Sequence, residues 1–254
     1  MVSPRTPGVL LVMTLLCLWE LSATQGWVNS ANWPSFMATL IAVKEGVVSG
    51  ELPKLLSTTL YRTLVGFAIG SALGVATSIV LGAASAVSRA VSPVLEMFRP
   101  MPVSAIVPPL ILFLGIGDRL AIFIVAFAAY FPVLVNTTGG LRANSETLLQ
   151  TARTFRKGWL ATLWHVVLPG ALPSIFAGLR TSLGISLVVA IVAEMISGSN
   201  GLGYFIVQTQ YAMLPAPMYG AVICLAVVGY GLNRLFLQVE ALLIPWYTPD
   251  REDY

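Results

Sequence analysis

A chain of 254 residues that is 57% hydrophobic and 10% charged cannot hide its apolar side chains in one water-soluble core, where about 25% charge is usual. It reads as an integral membrane protein. The formal net charge is only +3, and Lys and Arg sit at the ends of apolar runs rather than on one face. That excludes a nucleic-acid binder and fits the positive-inside rule. Cys17 and Cys224 each fall inside an apolar run, which excludes a disulfide framework and a cysteine metal site.

Gly8 to Ala23 is the first apolar run, after Arg5. The charged start and the small residues Ser22 and Ala23 are signal-peptide features. Glu20 interrupts the run, and Leu16 before Cys17 spoils a lipoprotein site, so a retained transmembrane helix is expected. Gly26 to Lys54 is amphipathic and interrupted, with Trp27, Trp33 and Pro34 where a membrane–water interface would hold tryptophan. Leu55 to Ala84 is the second span. Its Gly66, Gly70 and Gly74 share one helix face and would let a neighbouring helix approach closely.

Val87 to Arg99 is expected to be a short interfacial helix. Pro100 and Pro102 can open the next helix, where a missing N–H costs nothing. Pro108 and Pro109 fall inside it and are expected to kink or break it. Broken backbone at membrane depth is tolerated where it lines a cavity or is buried in protein, so Met101 to Gly117 is a candidate pathway wall, with a structural kink as the alternative. Leu120 to Thr138 is the fourth span and Ala171 to Ile196 the fifth. Ser197 to Gly203 is a turn-rich break. Met218 to Leu242 is the sixth span, and a charged tail, Asp250 to Asp253, follows. Six spans with both termini inside place Arg5, Arg89, Arg99, Arg142, Arg153, Arg156, Lys157 and Arg251 in the cytoplasm and Lys44, Lys54 and Arg119 outside. Arg62, near the outer end of the second span, argues against this orientation.

Between the fourth and fifth spans lies a polar, basic loop, 143–170. Asn144 suits a helix N-cap, and Glu146 sits in the first turn, where the helix dipole favours an acid. Leu148, Ala152 and Phe155 share a face at helical spacing. Arg153, Arg156 and Lys157 fall near the helix end, and Gly158 can stop it. Trp159 to Leu168 reads as a second short amphipathic helix, leading to Pro169 and Pro173 at the start of the fifth span. The apolar stripe needs a partner, either the chain's own spans or a groove on another protein.

Glu194 is an acid within an apolar span, a functional candidate by default. It could belong to a gate or brace the outer loop, or its carboxylate could be satisfied by nearby backbone N–H groups or an Arg. Asn136, Ser182 and Ser186 could offer hydrogen bonds to a polar solute or bond helices together. Glu20, Arg180 and Arg234 lie near span ends, where snorkelling or pairing is the expectation. His165, the one histidine, can form neither a histidine-rich metal site nor a partnered general base, and reads as a solvated or interface residue. With few intramembrane charges and no paired acids, little is left for a membrane-embedded enzyme. The absence of repeated halves speaks against a secondary carrier.

The loop also resembles a motif. Permease subunits of bacterial ABC importers carry a cytoplasmic EAA sequence, three residues, a glycine, a longer gap, then Ile, any residue, Leu-Pro. Gln150, Thr151 and Ala152 stand in the EAA places, and Val166, Leu168 and Pro169 in the closing ones. Gln150 replaces the acid, and Arg156 occupies the glycine place. The segments RPMPVSAIVPPLILFLGIGD, FPVLVNTTGGLR and LPGALPSIFAGLRTSLGISLVVAIVAEMISGSNGLGY look like permeases for nitrate, sulfonate, taurine and related solutes.

The resemblance implies an all-α polytopic fold of the type I importer (MetI-like) kind with about six helices. Its parts would be an N-terminal helix and interfacial segment at 1–54, a permease core at 55–245, and a tail at 246–254. It implies a multi-pass protein of the inner membrane, paired with a second copy, two cytoplasmic ABC ATPases and an extracytoplasmic binding protein. The coupling residues it implies are Glu146, Leu149, Gln150, Thr151, Ala152, Phe155, Arg156, Lys157, Gly158, Val166, Leu168 and Pro169. The pathway or gate candidates are Pro108, Pro109, Asn136, Ser182, Ser186 and Glu194. The chain itself would hold no cofactor and catalyse nothing. The sequence has no G-x-x-x-x-G-K stretch to cradle ATP phosphates, so ATP and magnesium would belong to the partner ATPase.

Overall fold

The computed structural model describes residues 6–28, 30–198 and 200–246. Arg5, Arg251 and the tail from Asp250 to Asp253 lie outside them, as does the side chain of Arg153. The regular structure among the described residues is all helical, in the order α1 (Thr6–Thr24), α2 (Phe36–Val48), α3 (Glu51–Ala83), α4 (Ser85–Phe98), α5 (Val103–Leu114), α6 (Asp118–Arg142), α7 (Glu146–Thr154), α8 (Trp159–Thr162), a π-helical turn (Leu163–Val167), α9 (Leu168–Ser197), α10 (Leu202–Tyr211) and α11 (Pro215–Leu243). Among them α3, α6, α11 and the continuous stretch Trp159–Ser197 are long and apolar enough to cross a membrane. The bent pair of α4 and α5 can supply a further span, and Leu10–Thr24 is a shorter apolar helix.

The centre is the trio α3, α6 and α9. Its packing follows from small residues. A Cβ on Gly66 would strike Val125, one on Gly70 the Ala126 carbonyl and Ala129, and one on Gly74 the Tyr130 carbonyl and Val133. The glycine face of α3 is therefore spent on α6 within the chain. Gly140 and Gly178 play the same part between α6 and α9, against Ser174 and Asn136. With no hydrophobic drive between helices in lipid, close approach and interhelical hydrogen bonds hold such a trio. Ser182 Oγ donates to the Ala129 carbonyl at 2.9 Å, and Thr138 Oγ1 donates to Ser78 Oγ at 3.2 Å.

α1 and α2 are joined at an aromatic cluster. Trp19 stacks obliquely on Trp33, Phe36 and Tyr219, with ring centroids 5.4–6.0 Å apart. The two indoles are tethered, Trp19 Nε1 to the Pro34 carbonyl and Trp33 Nε1 to Ser22 Oγ, both at 3.0 Å. Glu20, expected to snorkel or pair, accepts the Met37 N–H at 3.1 Å, in the first turn of α2. A carboxylate is favoured there by the helix dipole.

Three expectations need correcting. Pro108 and Pro109 do not break α5, which runs through both; the 97° bend lies between α4 and α5, at the Arg99-Pro100-Met101-Pro102 linker. Two prolines that close together disfavour helix for the residues before them, so the chain turns there. Arg99, in that linker, is exposed and lines one cavity with Pro132 and Val135 and another with Glu96 and Arg142. Trp159 to Leu168 is not a separate helix, because a π turn, with Leu168 N–H bonded to the Leu163 carbonyl, runs it into α9. The widened turn leads into Pro169, which has no N–H to give to the ladder. Lastly, the glycine-rich stretch after Ser197 is followed by a helix, α10, that the turn signals concealed. Leu202 at its start is fully buried with Leu52 and Ala221.

Candidate functional site

The loop between α6 and α9 is built as follows. Asn144 does not cap α7. Its Nδ2 donates instead to the carbonyls of Gly140, Leu141 and Val167 at 3.1–3.3 Å. It clamps the end of α6, whose last carbonyls lack helical partners, to the π turn before α9. A Cβ on Gly170 would collide with the Asn144 amide. The Leu149 N–H bonds to the Ser145 carbonyl at 3.2 Å, which puts Ser145 in the capping place. Glu146 lies in the first turn as expected.

α7 ends at Thr154, earlier than Gly158 would have stopped it. The Lys157 N–H reaches back to the Ala152 carbonyl at 3.1 Å, and Arg156 between them has φ 50°. This is the Schellman closure, whose left-handed position favours glycine. Arg156 thus adopts a glycine conformation at the place where the resembling motif has glycine. Gly158 is extended, with φ −64° and ψ 162°, and precedes α8.

The expected stripe of Leu148, Ala152 and Phe155 is divided. Ala152 is buried and Leu149 half-buried, whereas Leu148 and Phe155 are exposed, Phe155 by 75%. Phe155 follows the last residue of α7, so its direction is set by the turn rather than by helical periodicity. Gln150 and Thr151 are exposed, and Val166, Leu168 and Pro169 are half-buried at the root of α9. Trp159, Leu160 and Trp164 add exposed apolar area at 59–62%. His165 is exposed, with Nδ1 2.9 Å from the Ala161 carbonyl. Behind the loop lies a cavity of about 760 Å³ lined by Arg89, Arg142 and Lys157 together with Ser78, Thr138 and Leu149.

At the opposite end of the trio is a buried ionic cluster. Arg62 of α3 is 1% exposed and Glu194 of α9 is fully buried. Arg62 Nη1 lies 2.8 Å from Glu194 Oε1. Its Nε and Nη2 lie 2.8 and 2.7 Å from Asp118 Oδ1. Nη1 and Nη2 also donate to the backbone and side-chain oxygens of Asn200 at 2.5 Å. Every guanidinium nitrogen thereby meets an acceptor. Thr59 Oγ1 donates to Glu194 Oε2 at 2.9 Å while accepting the Leu202 N–H at 3.0 Å. The Gly203 N–H donates to the same carboxylate at 3.0 Å, so the start of α10 serves as an anion-binding helix N-terminus.

Glu194 is therefore satisfied by an arginine and a backbone N–H together, as one of the two readings of the sequence anticipated. Its partners Thr59, Asp118 and Asn200 went unrecognised. The usable signal was that the second and fifth spans each carry one ionisable residue near the same membrane face. Of the other pathway candidates, Ser182 and Ser186 are buried and bonded to the carbonyls of Ala129 and Ser182. Pro108 and Pro109 are exposed on α5. Asn136 donates to the Pro132 carbonyl at 2.8 Å and lines the same cavity as Arg99.

Residues 66–245 match the profile of the family described as binding-protein-dependent transport system inner membrane component. The chain belongs to this family. The permease is 32% identical over 239 residues to a putative aliphatic sulfonates transport permease, SsuC, of Bacillus subtilis (strain 168), covering 94% of this chain and 87% of that one. It is 25% identical to the taurine transport system permease TauC of Escherichia coli (strain K12), over 92% of this chain and 86% of that one. The nitrate import permease NrtB of Synechocystis sp. (strain ATCC 27184 / PCC 6803 / Kazusa) is 29% identical over 74% of this chain and 68% of its own. Among solved structures, the inward-facing MetNI methionine ABC transporter superposes with a TM-score of 0.67 at 21% identity, over 78% of this chain and 96% of that one. The permease therefore has the MetI-like type I importer fold and is a multi-pass inner-membrane transport protein rather than an enzyme.

Proposed function

We propose that the permease carries a small anionic or polar organic solute, of the sulfonate, taurine or nitrate class, into the cell. An extracytoplasmic binding protein hands the solute over, and a separate ATPase drives the step through the α7–α8 loop. The active assembly holds two permeases and two ATPases, with ATP and magnesium on the ATPases and both permease termini in the cytoplasm. The substrate class rests on the names of the relatives, whose sequences align with this one along most of its length.

The observation that carries the coupling role is the loop's surface. Leu148, Phe155, Trp159, Leu160 and Trp164 are large apolar side chains left exposed around a turn with cations at Arg156 and Lys157. Such a patch marks a binding surface, and a helix seated in a groove is anchored by residues of this kind. Gln150, Thr151 and the αL residue Arg156 shape the turn that presents Phe155. Val166, Leu168 and Pro169 join the patch to α9, so motion of the loop reaches the membrane directly.

Phe155→Asp tests the reading. Capture of the partner ATPase by the purified permease should fall at least tenfold, while thermal unfolding stays close to that of the unaltered protein, because Phe155 touches little within the chain. Undiminished capture would sink the coupling assignment. Ala152→Asp is a poorer probe, since Ala152 is buried and its loss would disturb the loop itself.

A further inference from the structure

The cavity of about 760 Å³ behind the loop gathers cations from three separate elements. Arg89 comes from α4, Arg142 from the last turn of α6, and Lys157 from the turn after α7. No acid among the described residues lines it. The adjoining cavity, which shares Arg142, adds Glu96 and Arg99, one charge of each sign, so the positive excess stands. All three cations are exposed and open to an incoming ligand. The helix dipole favours Arg142 at the end of α6 and Lys157 after α7, but it opposes Arg89 near the start of α4. It therefore does not explain why three cations share one cavity. Much of the remaining wall is apolar, formed by Leu81, Leu141, Leu149, Trp159, Leu163 and Val167.

The cavity sits where two long helices end. It is bordered by the last turns of α3, up to Ala83, and of α6, up to Arg142, and both helices are long and apolar enough to cross a membrane. That is the level of a membrane surface, which also suits the exposed indole of Trp159. α4 points the same way. Its Ser88, Arg89, Ser92 and Glu96 line the two cavities, while Val87, Val94 and Met97, on the opposite side of the helix, are exposed. An amphipathic helix at a membrane surface gives its polar face to water; here that face lines a pocket.

We propose that the cavity seats the headgroup of an acidic phospholipid from the leaflet that the loop faces. Arg89 and Arg142 offer forked N–H donors to the phosphodiester and Lys157 a point charge. The apolar walls take the glycerol end and the start of the acyl chains. Basic pockets between membrane helices suit such headgroups. A free anion would use the cations but leave the apolar walls without a role. The bound lipid joins the loop, through Lys157, to α4 and the end of α6. The inference goes beyond the importer reading and holds whatever solute the permease carries.

Native mass spectrometry of the full-length permease tests it. The protein is released from nanodiscs holding equal amounts of phosphatidylglycerol and phosphatidylcholine with the same acyl chains. Preferential retention of phosphatidylglycerol is expected. From the worth of one basic residue beside acidic lipid, Lys157→Gln should weaken its apparent affinity about fivefold, and the triple variant Arg89→Gln, Arg142→Gln, Lys157→Gln about a hundredfold. The single variant, placed on the loop rather than on a span, decides the matter if the triple variant does not fold. The same loss of charge elsewhere, in Arg119→Gln, Arg180→Gln, Arg234→Gln, should leave retention as in the unaltered protein. Equal retention of the two lipids, or equal loss in the two triple variants, overturns the seat. Displacement of phosphatidylglycerol by inorganic phosphate at equal concentration would reveal a free-anion pocket and overturns the lipid assignment. None of these readouts involves transport, so their failure leaves the importer reading untouched.

Discussion

Arg62 and Glu194 stand 132 positions apart in the chain, and their charged atoms meet at 2.8 Å in a region closed to solvent. Between them they join α3 to α9, and through Asp118, Asn200 and Gly203 they also hold the ends of α6 and α10. Burying both charges is costly, and the cost is offset because each has a full set of partners. Removing one partner strands the other. Glu194→Leu or Arg62→Met alone should therefore destabilise the permease by about 3–5 kcal/mol. The double variant should recover much of that loss. Thermal unfolding in detergent micelles, arranged as a double-mutant cycle, reads the coupling. Additive single losses would show that the pair is not the element that joins the helices.

Arg156 pays for its left-handed backbone with no compensating side-chain bond among the described residues. A non-glycine residue there costs about 1–2 kcal/mol, part of which glycine would return as greater freedom in the unfolded chain. Arg156→Gly should stabilise the loop by about 0.5–1 kcal/mol, seen as slower hydrogen exchange at the amides of α7. Arg156→Val should act in the opposite sense, because β-branched residues suit that conformation least.

The glycine face of α3 offers a paired comparison. A methyl group on Gly70 would run into the Ala126 carbonyl, whereas one on Gly231 of α11 meets nothing within 4 Å. Gly70→Ala should cost about 1–3 kcal/mol as overpacking, and Gly231→Ala should be neutral or slightly stabilising. Tm values of the two variants in the same detergent decide the point. Equal tolerance would mean that α3 and α6 lie farther apart than the structure places them.

Of the six expected spans, the second, fourth, fifth and sixth are long and apolar enough to cross a membrane, and they and the loop were legible because hydropathy and motif spacing are local properties of a sequence. Gln150, Ala152, Val166, Leu168 and Pro169 were placed on the loop by their resemblance to the importer motif. The stripe of Leu148, Ala152 and Phe155 was legible only in part, since periodicity cannot show that α7 ends at Thr154 and turns Phe155 outward. The Arg62 cluster was out of reach for a different reason. Its members come from four separate helices or their connections, and no local pattern states which arginine meets which acid.

The helix from Trp159 to Ser197 is continuous over 39 residues, but its regularity is uneven. The π turn at Leu163–Val167 and the prolines at 169 and 173 are features at which helices bend, and all lie within its first turns. From Pro173 to Ser197 the helix rises about 36 Å without another such break. A change of about 5° in the direction set near Pro173 would move the far end by about 3 Å. That displacement equals the length of one hydrogen bond, and the carboxylate of Glu194 rides on the moving end. A tilt of that size would therefore be enough to make or unmake individual contacts around Arg62, so the geometry of the ionic cluster depends on the direction of this one helix.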